Sequence, residues 1–121
     1  METVKRKSAV ENLNENMQAM LKVPTYNIGA CTIDVEKRQL TLGSEVFKLT
    51  KKEMYLLIFF AVNINKSVVR REILTTIWNE DTYSNSRSLD VYICKMRKLL
   101  SKDKSILVVN IHSKGYRVVV D

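Results

Sequence analysis

Hydrophobic residues recur along the chain with two different spacings, and each spacing predicts its own kind of element. Across residues 9–22 the spacing is helical, and Pro24 ends the predicted helix. The apolar positions of this helix are Val10, Leu13, Met17, Met20 and Leu21. Because the composition changes after it, we interpret residues 1–24 as a linker or an amphipathic helical lead-in, and residues 25–121 as the main domain.

Over residues 26–49 apolar and polar positions alternate, which predicts short strands. The alternation changes phase near Gly29, which indicates a bulge or bend in the first strand. Polar residues 36–38 and the pair at residues 43–44 mark turns. We therefore predict a small antiparallel sheet of three strands.

Helical signals begin at Thr50, which is followed three residues later by Glu53, the spacing of a capping box. The nearly continuous apolar run at residues 54–62 predicts a central helix that is covered on several sides. A second helix is predicted over about residues 70–78.

The last third of the chain predicts one more helix and a hairpin. Asn85 or Ser86 can cap the helix, which runs to about Leu100. Two runs rich in β-branched residues follow, at residues 106–109 and 116–120, and they indicate a β-hairpin. The order of sheet, three helices and hairpin predicts an α+β fold.

The composition is that of a single folded domain. The 121 residues are 45% hydrophobic with three glycines and one proline, which excludes repetitive and low-complexity chains. The longest apolar run is far shorter than the about 20 residues that cross a bilayer, and the N-terminus lacks the apolar segment of a signal peptide. We expect a cytoplasmic protein without a membrane partner.

Enzymatic chemistry finds little support in the residue pattern. The chain has one histidine, no glycine-rich phosphate loop and no glycine-framed nucleophilic serine. Cys31 and Cys94 lie far apart and match neither a metal site nor a disulfide framework, so we expect two reduced thiols. We predict no catalytic residues, no cofactor and no metal.

The net charge of +7 lies mostly in the last third of the chain. Residues 84–121 contain eight Lys and Arg against three Asp, which leaves +5 there. A localised positive field suits a polyanionic partner, but charge alone is equally typical of a well-solvated surface.

The predicted third helix carries apolar and cationic residues on opposite faces. The predicted buried stripe contains Leu89, Ile93, Met96 and Leu100. The opposite face contains Arg87, Val91, Cys94, Lys95 and Lys98, with Tyr92 and Arg97 on the flanks. Long cations beside compact apolar groups suit a helix that enters the major groove of DNA. Asp90, the acid on this helix, is expected to favour the helix dipole or to pair with a neighbouring Arg.

The tip of the predicted hairpin, residues 110–117, collects hydrogen-bond donors and a flexible glycine on a short projecting loop. A cationic helix and a cationic loop together can hold the groove and the backbone of a nucleic acid. The residues therefore favour nucleic-acid binding, with a protein-interaction module as the alternative.

Several of these segments together resemble the winged-helix effector domains of OmpR- and PhoB-type response regulators. They are Leu49 to Leu57, Arg71 to Leu74 with Ile77 and Trp78, Ser86 to Ile93 with Met96 to Leu100, and Gly115 to Arg117. The resemblance covers about residues 26–120. It implies a winged helix-turn-helix with an N-terminal antiparallel sheet, three helices and a C-terminal hairpin wing.

The function that the resemblance implies is sequence-specific binding of double-stranded DNA by a bacterial two-component transcription regulator. The recognition helix, about residues 86–100, would lie in the major groove. The wing, about residues 110–116, would lie on the adjacent backbone or minor groove. The alternative is a winged-helix protein-interaction module without specific DNA readout.

The resemblance also implies roles for individual residues. Phosphates would be held by Trp78, Arg87, Tyr92, Arg97 and Tyr116. Base edges or adjoining backbone would be contacted by Val91, Cys94 and Lys95. Asn110 and His112 would act from the wing, and the exposed cations Lys98 and Lys114 complete the predicted set.

Some positions depart from the family pattern. They are His112, where Arg is frequent, Ser113, where Gly is common, and Cys94, where a cation is frequent. His112 is shorter than Arg and mostly neutral near pH 7, which weakens the case for minor-groove reading. Structural roles also stay open, with Trp78 in the core, Tyr116 packed beneath the wing and Arg97 bridging to an acid.

The resemblance further implies that a receiver domain normally precedes this domain. It predicts a homodimer on direct-repeat half-sites, and it makes the loop at residues 79–85 a candidate contact for RNA polymerase.

Overall fold

The structure, a computed structural model, describes residues 14–112 and 114–121. Its helices are α1 (Glu15–Met20), α2 (Lys51–Val62), α3 (Arg70–Ile73), which continues into a π-helical segment (Leu74–Trp78), and α4 (Tyr83–Leu100). Its strands are β1 (Thr25–Ile28), β2 (Cys31–Asp34), β3 (Gln39–Leu42), β4 (Glu45–Lys48), β5 (Ser67–Val69), β6 (Ile106–Ile111) and β7 (Gly115–Val120). This order confirms the predicted α+β fold.

The N-terminal sheet has four antiparallel strands in the order β1-β2-β3-β4, so the prediction of three strands is wrong. The expected bend at Gly29 is a complete turn. Gly29 has a φ of 57°, a left-handed conformation that costs glycine little, and Ile28 pairs directly with Cys31 across the turn. The sheet packs on the helices through its fully buried side chains, Ile28, Cys31, Ile33 and Leu40.

Of the predicted lead-in, the structure describes residues 14–24, and helix α1 within them packs on the rest of the described chain. Asn14 caps this helix, and the predicted helical residues 9–13 lie outside the described residues. Met17 is fully buried in the common core, and the Tyr26 hydroxyl donates to the Met20 carbonyl at 2.7 Å.

Helix α2 begins with the predicted capping box and runs through the centre of the domain. The Thr50 hydroxyl accepts from the Glu53 amide at 3.2 Å, and the Glu53 carboxylate accepts from the Thr50 amide at 2.7 Å. Seven consecutive residues, 54–60, are buried, as the apolar run predicts.

The second helix begins at Arg70 as predicted, but it widens into a π-helical segment after Ile73 and stops at Asn79, whose φ of 68° is left-handed. The third helix begins earlier than predicted. The Thr82 hydroxyl accepts from the Asn85 amide at 3.1 Å, so Thr82 is the N-cap, rather than Asn85 or Ser86.

The C-terminal hairpin is part of a three-stranded sheet in the order β5-β7-β6. Strand β5 was not predicted, because its three residues pair with β7 far along the chain. Gly115 is required at this contact, since a Cβ atom there would lie 1.9 Å from the Val68 carbonyl oxygen.

One hydrophobic cluster joins both sheets and the helices, including the predicted stripe of α4, which is buried as expected. Among the residues that the structure describes, none of the helices has the length and apolar character needed to span a membrane.

Candidate nucleic-acid interface

Helix α4 presents the face that the sequence predicts for DNA contact. Its five predicted outer residues are all exposed: Arg87, Val91, Cys94, Lys95 and Lys98. Val91 keeps 53% of its surface in contact with solvent, between cations on either side. This face combines reach for phosphates with room for close approach to base edges.

Arg87 is held in place by Tyr83, one turn earlier on the same helix. The Arg87 guanidinium donates to the Tyr83 hydroxyl at 3.1 Å and lies 5.8 Å from the centre of its ring. Tyr83 is 77% exposed. A planar cation held against an aromatic ring is partly ordered before any partner binds.

Trp78 and Tyr92 form a half-buried aromatic pair flanked by two lysines. Their rings make an edge contact with centroids 5.8 Å apart. The Lys52 Nζ lies 5.4 Å from the Trp78 ring, and the Lys95 Nζ lies 5.3 Å from the Tyr92 ring. Trp78 thus packs against the core and keeps part of its surface beside cations.

Arg97 fastens α4 to strand β6. Its Nη2 donates to the Asn110 side-chain oxygen at 2.8 Å and to the Val108 carbonyl at 3.3 Å. Two residues predicted to contact DNA are therefore hydrogen-bonded to each other. The sequence alone left open that Arg97 bridges to an acid. The structure instead shows it bonded to a side-chain amide oxygen and a backbone carbonyl.

Tyr116 is buried, with 8% of its surface exposed. It packs in the core, in agreement with the structural role beneath the wing that the sequence left open. Its hydroxyl accepts from the Arg70 guanidinium at 2.6 Å. Arg70 also forms an ion pair with Asp90 at 2.9 Å, so of the two roles expected for Asp90 the structure shows pairing with an Arg.

The tip of the wing brings His112 and Lys114 together as exposed side chains next to the exposed Asn110. Backbone bonds close the turn, with the Lys114 amide donating to the Ile111 carbonyl at 2.8 Å. Ser113 lies outside the described residues. Asn110, His112 and Lys114 line one shallow cleft together with Arg70 and Tyr116.

The cationic surface of α4 continues past its end onto the N-terminal sheet. Lys102 places its Nζ 5.3 Å from the Phe47 ring, and it lines one groove with Lys48, Lys95 and Lys98. Lysine stems along an apolar floor leave their charged ends at the surface.

Comparison with known proteins identifies the family to which this chain belongs. The family described as "Transcriptional regulatory protein, C terminal" matches residues 43–118. The chain belongs to this family. The transcriptional regulatory protein RprY of Bacteroides fragilis is 46% identical over 94 residues, an alignment that spans 78% of this chain and 40% of RprY. The chain thus spans about two fifths of the length of the curated relatives it matches.

Two solved structures share the fold of this chain. The Klebsiella pneumoniae RstA DNA-binding domain, solved in complex with the RstA box, is 27% identical with a TM-score of 0.66, over 80% of this chain and 98% of that one. The DNA-binding domain of E. coli CadC is 20% identical with a TM-score of 0.71, over 82% and 94% of the two chains, and shows the fold alone. The fold is a winged helix-turn-helix, as the sequence predicts.

The family match includes every residue predicted to contact DNA, from Trp78 to Tyr116. The sequence does not identify three neighbours of this set. Its polar pattern predicts a loop at Tyr83, although Thr82 is a residue type that favours an N-cap. Lys52 and Arg70 carry no signal in the sequence, because their partners lie on other elements.

Proposed function

We propose that this domain binds double-stranded DNA sequence-specifically, as the DNA-reading part of a bacterial two-component transcription regulator. The observation that carries the proposal is the exposed face of α4, where Arg87, Lys95 and Lys98 surround Val91. In this proposal α4 enters the major groove, and Lys95, Val91 and Cys94 approach base edges or adjoining backbone. Arg87 and Tyr92 hold phosphates, joined by Trp78 at the end of the second helix.

The wing has the second part in this proposal. Asn110, His112 and Lys114 lie on the adjacent backbone, with His112 nearest to the minor groove. The resemblance assigns Arg97 and Tyr116 to phosphates, and their hydrogen bonds within the domain also let them support this surface. A histidine is shorter than an arginine, so it reaches less deeply into the groove than an arginine would.

Selection of bound DNA from a random pool, followed by sequencing, tests the proposal. We expect one enriched site that survives rising salt, because sequence-independent phosphate binding weakens first. Enrichment of no site would contradict DNA reading and favour a protein-interaction module. We expect no catalytic activity from a domain built this way.

We further propose that two copies bind direct-repeat half-sites as a homodimer. A mobility-shift titration on one half-site and on two tests this, with cooperative binding expected only on the repeat. Independent binding to both half-sites would contradict it.

The loop at residues 79–85 is proposed as the contact for RNA polymerase. In the structure only residues 79–82 are loop, with exposed Glu80 and Asp81, and Tyr83 opens α4. Asp81→Ala is expected to reduce transcription in vitro without changing DNA affinity, with Lys37→Ala as an exposed control. The site of action would be the cytoplasm, where bacterial DNA lies.

A further inference from the structure

Arg70 joins the recognition helix to the wing strand. It stands at the first position of α3, directly after β5. Its Nη1 donates to the Tyr116 hydroxyl of β7 at 2.6 Å and lies 2.9 Å from the Asp90 carboxylate of α4. Its Nη2 donates to the carbonyl and the hydroxyl of Ser86, also on α4, at 2.9 and 2.6 Å.

These contacts need an arginine. The guanidinium presents several donors in one rigid plane, so a single group can hold β7 and α4 at a defined separation. A lysine carries a point charge and cannot span both elements in this way. The Arg70 and Asp90 side chains are 28% and 60% exposed, so their ion pair adds little stability, and orientation is the larger effect.

The elements that Arg70 joins carry the predicted DNA contacts. Ser86 and Asp90 each precede an outer residue of α4, Arg87 and Val91 respectively. The Arg70 amide donates to the Lys114 carbonyl at 3.0 Å, so the backbone also meets the wing tip. A change at this position would therefore alter how the helix face and the wing lie relative to each other.

A second arginine ties the other half of α4. Arg97 holds Asn110 and Val108 of β6, while Arg70 holds the first half of the helix. Two side-chain contacts at separate points of α4, added to its buried stripe, constrain the angle of the helix more closely than one contact would. Groups that read DNA must be held within about 0.5 Å of the productive geometry.

We propose that Arg70 is a positioning residue that sets the angle between α4 and the wing and thereby determines discrimination among DNA sites. This inference rests on the proposed function. It assigns Arg70 no direct contact with DNA, so its removal changes selectivity and not the number of phosphates bound.

The test compares Arg70→Ala with Arg71→Ala, which removes the same charge from the neighbouring exposed position. The readout is the ratio of affinities for the selected site and a scrambled site, measured across salt concentrations. Arg70→Ala should lower this ratio about tenfold, the effect of one mismatched base pair, with the salt slope unchanged. Arg71→Ala should leave the ratio unchanged.

Asp90→Ala separates positioning from charge. It makes the recognition helix more positive, so electrostatics alone would tighten binding to all DNA. Tighter binding to all DNA would leave the ratio of the two affinities unchanged, whereas the inference expects this ratio to fall. An unchanged ratio in Arg70→Ala and Asp90→Ala, or a salt slope that falls by about one in Arg70→Ala, would overturn it.

Failure of the inference is distinguishable from failure of the proposed function. If the wild-type domain selects no site, DNA reading itself is wrong. If it selects a site, amide chemical shifts of the free protein give a second readout. Arg70→Ala should perturb the amides of residues 83–91, 110–112 and 114–116, and Arg70→Lys should perturb the same set if Arg70→Ala does not fold. Unperturbed shifts would overturn the positioning role.

Discussion

The Arg97 guanidinium donates to the side-chain oxygen of Asn110 over 2.8 Å, and this bond connects the recognition helix to the wing strand. It is a bond between two side chains that the family resemblance assigns to DNA. A charged donor on an amide acceptor is worth more than an average hydrogen bond. The two elements that we propose to contact DNA are therefore connected in the free protein.

A double-mutant cycle measures this connection. Arg97→Ala should destabilise the domain more than Asn110→Ala, because Arg97 also loses the Val108 carbonyl. Because this bond is exposed to solvent, the coupling energy between Arg97 and Asn110 by urea unfolding should be about 1 kcal/mol, below the about 1.5–3 kcal/mol of a buried charged hydrogen bond. Strictly additive effects would show that the bond is not formed in solution.

Lys95 should carry sequence discrimination. It is exposed at the centre of the outer face of α4, beside the Tyr92 ring. Lys95→Ala should cost about 1–3 kcal/mol on the selected site and relax the preference at one base position. Lys104→Ala removes the same charge from the turn after α4 and is the matched control. Equal losses in the two variants would mean that Lys95 contributes only charge.

Arg87 should contribute phosphate binding without base preference. Arg87→Ala should weaken binding to all sequences alike and reduce the salt slope by about one. Tyr83→Phe, which removes the hydroxyl that accepts from Arg87, should weaken binding less and leave the slope unchanged. Lys37→Ala, in the turn of the other sheet, should change neither quantity. An unaltered slope in Arg87→Ala would contradict the proposed contact.

Much of the site could be predicted because the buried residues of α4 recur at one regular helical spacing. Leu89, Ile93, Met96 and Leu100 are the buried residues of this helix, as the helical spacing requires, and the outer residues follow from the same projection. The capping box at Thr50 was equally local. Its two partners lie three residues apart, so the sequence contains the whole interaction.

The features that the sequence did not predict depend on distant partners. Strand β5 has three residues, too few for a periodic signal, and it exists because Val68 pairs with Tyr116. Arg70 follows that strand, and nothing near it in sequence identifies Tyr116, Ser86 or Asp90 as its partners. From the sequence alone, Arg70 is interpreted as a solvated surface residue, because its hydrogen-bond acceptors come from other elements of the fold.

A substitution at Met17 tests whether helix α1 contributes to the stability of the domain. It is fully buried, although it lies in the segment interpreted as a linker or lead-in. Met17→Ala should reduce the free energy of unfolding by about 2–5 kcal/mol, because it removes buried methylenes and leaves a cavity. Met20→Ala, at a partly buried position on the same helix, should cost less. If Met17→Ala has the same free energy of unfolding as the wild type, then α1 does not pack on the domain in solution.

Asp103 should make the stability of the domain sensitive to acid. Its carboxylate accepts from the Ala30 amide at 2.8 Å and from the amide and hydroxyl of Ser105 at 2.9 and 2.7 Å. These bonds, with that from Ala30 first, hold the pKa of Asp103 below its ordinary value of 3.8. They join the turn of the N-terminal sheet to the segment between α4 and the wing.

The sign of the effect follows from the lowered pKa. A carboxylate with a lower pKa in the folded state stabilises the fold fully above its ordinary pKa, and this contribution is lost as the pH falls through the folded value. Asp103→Asn should therefore be less stable than wild type near neutral pH, with the difference shrinking below about pH 4. Urea unfolding across this range measures it, with Asp81→Asn in the exposed loop as control. A difference that persists undiminished in acid would show that the ionised carboxylate is not what joins these segments.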